Sequence, residues 1–256
     1  MKITFLGTCS GTEPMPARRH ASVAIESQSR VYIFDAGEGC SHTAHNLGID
    51  LLAMTKVIIS HPHIDHVGGL ANLIWVPRKL CSRTKKLPYY GDIELYTPSL
   101  EVWSAVEKIL DISAKERYSK FNTLVHEVSA GLLFDDGILR VTAFENTHIA
   151  HENGKCLSYS YLIEGEGKRV VYSGDVKSPY ELDAAVGEHC DLLMIETGHH
   201  KIDDIYEFVS KKNIDRVCFT HHGREILNGF EASKQKIDTL FGGKAVLAFD
   251  GMCDDF

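Results

Sequence analysis

Short apolar runs recur along the chain, each closed by Gly, Asp, Asn or Pro, and such runs predict strands. They are KITFLG (2–7), SVAIES (22–27), RVYIFDAG (30–37), KVIIS (56–60), IELYTP (93–98), ILRVTAFEN (138–146), LSYSYLIEG (157–165), RVVYSGD (169–175), DLLMIETG (191–198), DRVCFTHHG (215–223) and AVLAFDG (245–251). Between them, helix-like stretches cover 41–48, 65–76, 99–110, 179–187, 202–212 and 231–240. In the fifth of these, Ile202, Ile205, Phe208 and Val209 fall at helical spacing, with acids early and lysines late as the helix dipole favours. No low-complexity linker or composition break interrupts the alternation, which predicts a single α/β domain over 1–256 with two mixed sheets covered by helices. The stretch 77–92, PRKLCSRTKKLPYYGD, is the one basic run. It is expected to be a solvated loop, with an anion-attracting rim or a dimer contact at Arg78 to Lys86 as the sharper alternative.

With 256 residues, 44% of them hydrophobic, the chain can bury a sizeable core. No window approaches the roughly 18 consecutive apolar residues of a membrane span, and the opening MKITFLG is strand-like and unlike a signal peptide. A cytoplasmic protein with no membrane partner is therefore expected. The seven cysteines (9, 40, 81, 156, 190, 218, 253) are scattered without a CxxC pair, so they suit neither a disulfide framework nor a zinc knuckle. A net charge of −8 leaves no basic footprint for a long nucleic acid, which makes a small substrate the favoured partner.

Chemistry concentrates in SHPHIDHVGG, residues 60–69. Here His61, His63, Asp65 and His66 occupy the end of a buried strand and the turn that follows. Imidazole and carboxylate together suit zinc or manganese. So tight a turn can aim its first two ligands at one metal and the next two at a second, so further ligands should lie at later strand ends. His148 closes VTAFENTH, Asp175 closes RVVYSGD and His221 closes RVCFTH. Two positions have rivals: His151 stands three residues after His148, and His222 follows His221. Alternation along an extended strand lets only one of the latter pair face a site, and His221 is preferred.

HxHxDH followed by a strand-end histidine, SGD and TH resembles the metallo-β-lactamase fold superfamily. Within it, ITFLGTCSGTEP and DAGEG (35–39) look like the ribonuclease Z branch, and the resemblance runs over nearly the whole chain. It implies a four-layer αββα sandwich. It also implies two divalent metals, zinc before manganese or iron: His61, His63 and His148 on one, Asp65, His66 and His221 on the other, Asp175 between them. His148 is preferred to His151 because it lies seven residues after Val141, as the family pattern has it.

Two such ions can hold a hydroxide between them and stabilise a developing anion, so the nucleophile comes from the metals. Asp65 is the candidate to orient and deprotonate that water. For the proton needed by the leaving group, the resemblance selects His199 in ETGHHKID, with His200 one residue off and Glu196 as its partner; Ile195 stands where ribonuclease Z has histidine. Asp35 is read either as a carboxylate that fixes a ligand histidine's tautomer or as a turn former before Gly37. His20, His42, His45, His126 and His189 have no motif around them and are read as surface or structural residues.

Only 26 residues separate His148 from Asp175, too few for the RNA-gripping arm of the transfer-RNA processing enzymes, and HHGRE replaces the ribonuclease pattern after the last histidine. The outline is closer to arm-less phosphodiesterases of the same branch, including a cyclic-phosphate esterase with a similar FDGM, although its extra cysteine cluster is missing here. The leading expectation is a phosphodiesterase acting on a small phosphodiester, of cyclic nucleotide or cyclic ribose phosphate type. The alternatives are a tRNA 3′-end endonuclease, a carboxyl-ester or lactone hydrolase, and a non-catalytic metal-binding scaffold. Relatives of this kind are often dimers, so a homodimer is expected.

Overall fold

The computed structural model describes residues 1–113, 121–151 and 154–255. Its strands are β1 (Lys2–Gly7), β2 (Ser22–Ser27), β3 (Arg30–Phe34), β4 (Met54–Ile58), β5 (Ile93–Thr97), β6 (Thr123–Glu127), β7 (Gly131–Asp135), β8 (Arg140–Glu145), β9 (Tyr159–Gly165), β10 (Lys168–Tyr172), β11 (Cys190–Thr197), β12 (Ile214–His222), β13 (Ala245–Leu247) and β14 (Cys253–Asp255). They form two seven-stranded sheets, in two compact units.

Unit 1 comprises Met1–Gly7, Arg19–Val128 and Asp250–Phe256. Its sheet runs β14-β1-β2-β3-β4-β5-β6, antiparallel as far as β3 and parallel from β3 to β6. β4 (MTKVI) is buried at every position, as a strand covered on both faces must be. Helix Leu70–Thr84 buries Leu70, Leu73, Ile74, Pro77 and Cys81, and helix Leu100–Ser113 buries Trp103, Val106 and Leu110. Both stripes pack with Leu6, Ile33 and Val57 in one core.

Unit 2 comprises Thr8–Arg18 and Ser129–Phe249. Its sheet runs β13-β12-β11-β10-β9-β8-β7, antiparallel from β7 to β10 and parallel from β10 to β13. Helix Ile202–Val209 buries the four apolar residues that the periodicity picked out, against Leu193, Ile195 and Phe219 of the sheet. Each unit is therefore a mixed sheet with helices packed on it.

Two sequence expectations are corrected. The basic run is not a loop over its first half: helix Leu70–Thr84 runs through it, with Pro77 and Cys81 on the buried stripe and Lys79 Nζ lying 4.3 Å from the centre of the Trp75 ring. Lys79 and Arg83 lie on the exposed face of this amphipathic helix, Arg78 is half-buried, and Lys85 and Lys86 follow the helix end, an arrangement that Pro77 hid from the periodicity. The single helix expected over 65–76 is in fact two, Ile64–Val67 and Leu70–Thr84, divided at Gly68 and Gly69. Among the described residues no helix is long and apolar enough to cross a membrane.

Candidate functional site

In unit 1 the parallel pair β3 and β4 ends in register, Phe34 opposite Ile58, and the residues that follow carry the ligand motif. Chain ends at the carboxyl edge of parallel strands are where α/β sheets place ligands. Asp35 follows β3 with φ 58°, a left-handed conformation that a non-glycine residue adopts only when its surroundings hold it there. They do: its carboxylate accepts from the Ser60 backbone N–H at 2.6 Å and the Ser60 hydroxyl at 2.7 Å, and Oδ2 lies 2.7 Å from His66 Nδ1. With Nδ1 donating to Asp35, His66 Nε2 is left as an acceptor for a metal. Of the two readings of Asp35, the carboxylate-to-histidine contact is thus present.

His63 caps helix Ile64–Val67, whose first turn bears Asp65 and His66. His61 Nε2 is 3.0 Å from His63 Nδ1, and His66 Nε2 is 3.4 Å from Asp65 Oδ2. The turn is compact because glycine allows it. A Cβ on Gly69 would collide with the Gly37 carbonyl oxygen, and one on Gly37 would come within 2.5 Å of the Asp65 carbonyl oxygen.

In unit 2 His148 stands beyond β8, where Asn146 Oδ1 accepts from its backbone N–H at 3.2 Å. Asp175 follows β10 and is 2% exposed. Its two oxygens divide between two histidines: Oδ2 is 3.7 Å from His148 Nε2 and Oδ1 is 3.4 Å from His221 Nε2. These separations exceed a good hydrogen bond. They match the spacing of about 3.4 Å between two ligands that each sit about 2.1 Å from one tetrahedral ion. The donor set therefore fits divalent metal, with one carboxylate oxygen directed to each histidine.

His221 reaches this position through a bulge. β11 and β12 pair Glu196 with Thr220 and then Thr197 with His222, so His221 is the extra residue, with φ 49°. Simple strand alternation, the basis for expecting only one of the two histidines to face a site, does not describe this chain segment; the bulge does. His222 is fully buried, its Nδ1 2.8 Å from Thr197 Oγ1 and its Nε2 2.9 Å from the Ala248 carbonyl, and burial pushes its pKa down to about 3. Both its ring nitrogens are used inside the fold. The segment before it in the chain holds it too: His222 N–H donates to Thr8 O, and Ser10 N–H and hydroxyl donate to His222 O.

Glu196 is fully buried and accepts from the Gly198 and His199 backbone N–H groups at 2.7 and 2.9 Å, with His199 Nδ1 at 3.0 Å. Burial alone would raise the pKa of Glu196, but the hydrogen bond from His199 and the His221 imidazole, whose Nδ1 is 3.9 Å from Oε2, outweigh burial and lower it. The bond to Glu196 in turn raises the pKa of His199, whose side chain is 45% exposed and lies 3.8 Å from Asp175 Oδ2. His200 reaches the same carboxylate from a buried position: its Nε2 is 2.9 Å from the Val176 carbonyl oxygen and 3.3 Å from Glu196 Oε1. His151 is grouped with Glu145 and Cys156, away from Asp175. Sequence reasoning missed Ser60, which carries the Asp35 network, and the Thr8 and Ser10 strap; the serine directly before His61 was the available signal for the first.

Among solved structures, the human short form of tRNase Z aligns over 100% of this chain and 99% of its own, with TM-score 0.74 and 22% identity. The metallo-β-lactamase fold protein YhfI of Bacillus subtilis aligns over 99% and 98%, with TM-score 0.73 and 16% identity. The fold is the metallo-β-lactamase fold. Ribonuclease BN of Cronobacter sakazakii is 33% identical over 171 residues, 66% of this chain and 51% of that protein, so the chain spans about half the length of the curated relative it matches. A family profile, that of Anti-Pycsar protein Apyc1, matches residues 1–226, and the chain belongs to that family.

Proposed function

We propose that the chain is a dinuclear metal-dependent hydrolase that cleaves a small phosphodiester, of cyclic nucleotide or cyclic ribose phosphate type. The observation that carries the reading is the division of the Asp175 oxygens between His148 and His221, the arrangement of a carboxylate shared by two ions. His61, His63 and His148 would hold one ion and Asp65, His66 and His221 the other, with zinc the first choice for an imidazole and carboxylate set. When bound, two such ions supply Lewis acidity at a phosphoryl oxygen and a nucleophile at neutral pH. Asp65 orients and deprotonates the attacking water. His199, whose protonated form Glu196 favours, gives its proton to the leaving oxygen. Asp35 and Ser60 keep His66 in the tautomer that can bind metal.

A small substrate is supported by the chain between His148 and Asp175. β9 and β10 form a hairpin joined at Glu166 and Gly167, and this tight turn offers no extended arm for RNA. The ribonuclease name of the curated relative supports phosphodiester chemistry and keeps tRNA 3′-end cleavage as the second reading. The test is hydrolysis of bis(p-nitrophenyl) phosphate by protein stripped of metal and reloaded with zinc or manganese. Turnover that follows metal content is expected. No turnover at full loading would transfer the reading to carboxyl esters and lactones.

A further inference from the structure

A separate set of donors converges in unit 2. Glu145, at the end of β8, His151 and Cys156 each offer one ligand atom, and the three atoms lie within 4.8 Å of one another. They belong to one excursion of the chain. β8 and β9 are antiparallel partners, with Glu145 opposite Tyr159, and the Asn146 N–H donates to Ser158 O at 3.1 Å to close the loop between them. Glu145 and Cys156 thus sit near the base of the loop and His151 on its arc. Cys156 is 4% exposed, while Glu145 and His151 are exposed, so the sulfur forms a floor beneath two accessible ligands.

The chemistry of the set narrows its occupant. Magnesium and calcium take oxygen ligands, whereas carboxylate, imidazole and sulfur together suit a borderline-soft ion of the zinc kind. Cys156 Sγ donates weakly to Ser158 O at 3.1 Å and to Asn146 O at 3.7 Å. On binding, that thiol proton would go to solvent and the thiolate would become the ligand. Another cluster, His189, Asp191 and Asp215, contrasts with this one, because Lys168 Nζ already stands 3.1 Å from Asp191 and neutralises it.

We propose that Glu145, His151 and Cys156 bind a divalent ion of the zinc type, separate from the dinuclear centre, and that this ion joins His151 to the facing ends of β8 and β9. Three protein ligands leave a position for water. The proposal does not depend on which substrate the protein cleaves.

The residues assigned to the dinuclear centre contain no cysteine, so a sulfur-to-cobalt charge-transfer band distinguishes this site from that centre, and the Cys156→Ser variant distinguishes it from the exposed Cys253. The full chain, stripped of metal and titrated with cobalt(II), should develop that band and saturate it once the dinuclear centre and this site are both filled. Cys156→Ser should abolish it. Glu145→Gln and His151→Gln change exposed side chains and should leave the fold intact while weakening the band's midpoint by about tenfold or more. Absence of the band in the wild-type chain, or its persistence in Cys156→Ser, overturns the proposal. If Cys156→Ser does not fold, unchanged midpoints in both other variants overturn it equally.

Discussion

Asp35 Oδ2 lies 2.7 Å from His66 Nδ1, and both side chains are withdrawn from solvent. The contact links the end of β3 to a histidine 31 residues further along, so the ring of His66 is oriented by a strand it does not belong to. Asp35→Asn preserves the volume but presents an amide to a nitrogen that must donate. Metal affinity should fall by about 10–100-fold, as for other carboxylates behind a ligand histidine. Chelator competition measures this, and unchanged affinity would reduce Asp35 to a turn former.

His199→Asn removes the proton donor without touching a proposed ligand. For a poor alkoxide leaving group, kcat should fall by about 10²–10⁴-fold, while p-nitrophenolate, which leaves without a proton, should be little affected. Equal losses on both substrates would point to a role in binding or metal retention instead.

Gly198→Ala tests the bulge. Its new Cβ would lie 2.8 Å from His221 Nδ1 and 3.1 Å from Ser10 Cβ, so the ring must move. A displacement approaching 1 Å costs about 10²-fold in turnover. The expected signature is lost activity with a nearly unchanged thermal melt; a normal rate would show that the ring has room to yield.

A prediction about pH concerns unit 1. Lys56, almost fully buried, places Nζ 2.6 Å from Glu94 Oε1, and the Tyr96 hydroxyl donates to Oε2. Burial works to raise the pKa of Glu94, but the bonds from Lys56 and Tyr96 and the Lys56 charge prevail and lower it. A lowered carboxylate pKa stabilises the fold above the unfolded value of about 4.3, and the contribution disappears as pH falls through the folded value. Glu94→Gln should therefore melt about 2–4 °C lower at pH 7 for each ~1 kcal/mol lost. The gap should begin to narrow as pH falls through the unfolded value of about 4.3 and close once pH is below the lowered folded value. A gap that persists in acid would assign the loss to packing.

The strands that the pattern revealed and those it hid differ in one physical respect. KITFLG and SVAIES stand inside their sheet and coincide with β1 and β2 to the residue. The three unanticipated strands, β6, β7 and β14, are all at sheet edges. In β6 (TLVHE) no residue is fully buried and in β7 (GLLFD) only Phe134 is, so burial wrote little into those sequences. Similarly, HPHIDH was legible because four imidazole and carboxylate side chains fall within six residues. The bulge at His221 was not, because it exists only in the pairing of β12 with β11.

The interlock of Gly37 with the turn at Gly69 bears on engineering. HPHIDHVGG looks like a portable cassette, yet its backbone is shaped around a loop from another strand end, where the Gly69 N–H donates to Ala36 O and the Ala36 N–H to His66 O. Grafted alone onto a foreign scaffold, the nine residues would lose the mould that gives them their form. Any successful transplant has to carry DAG, residues 35–37, with it.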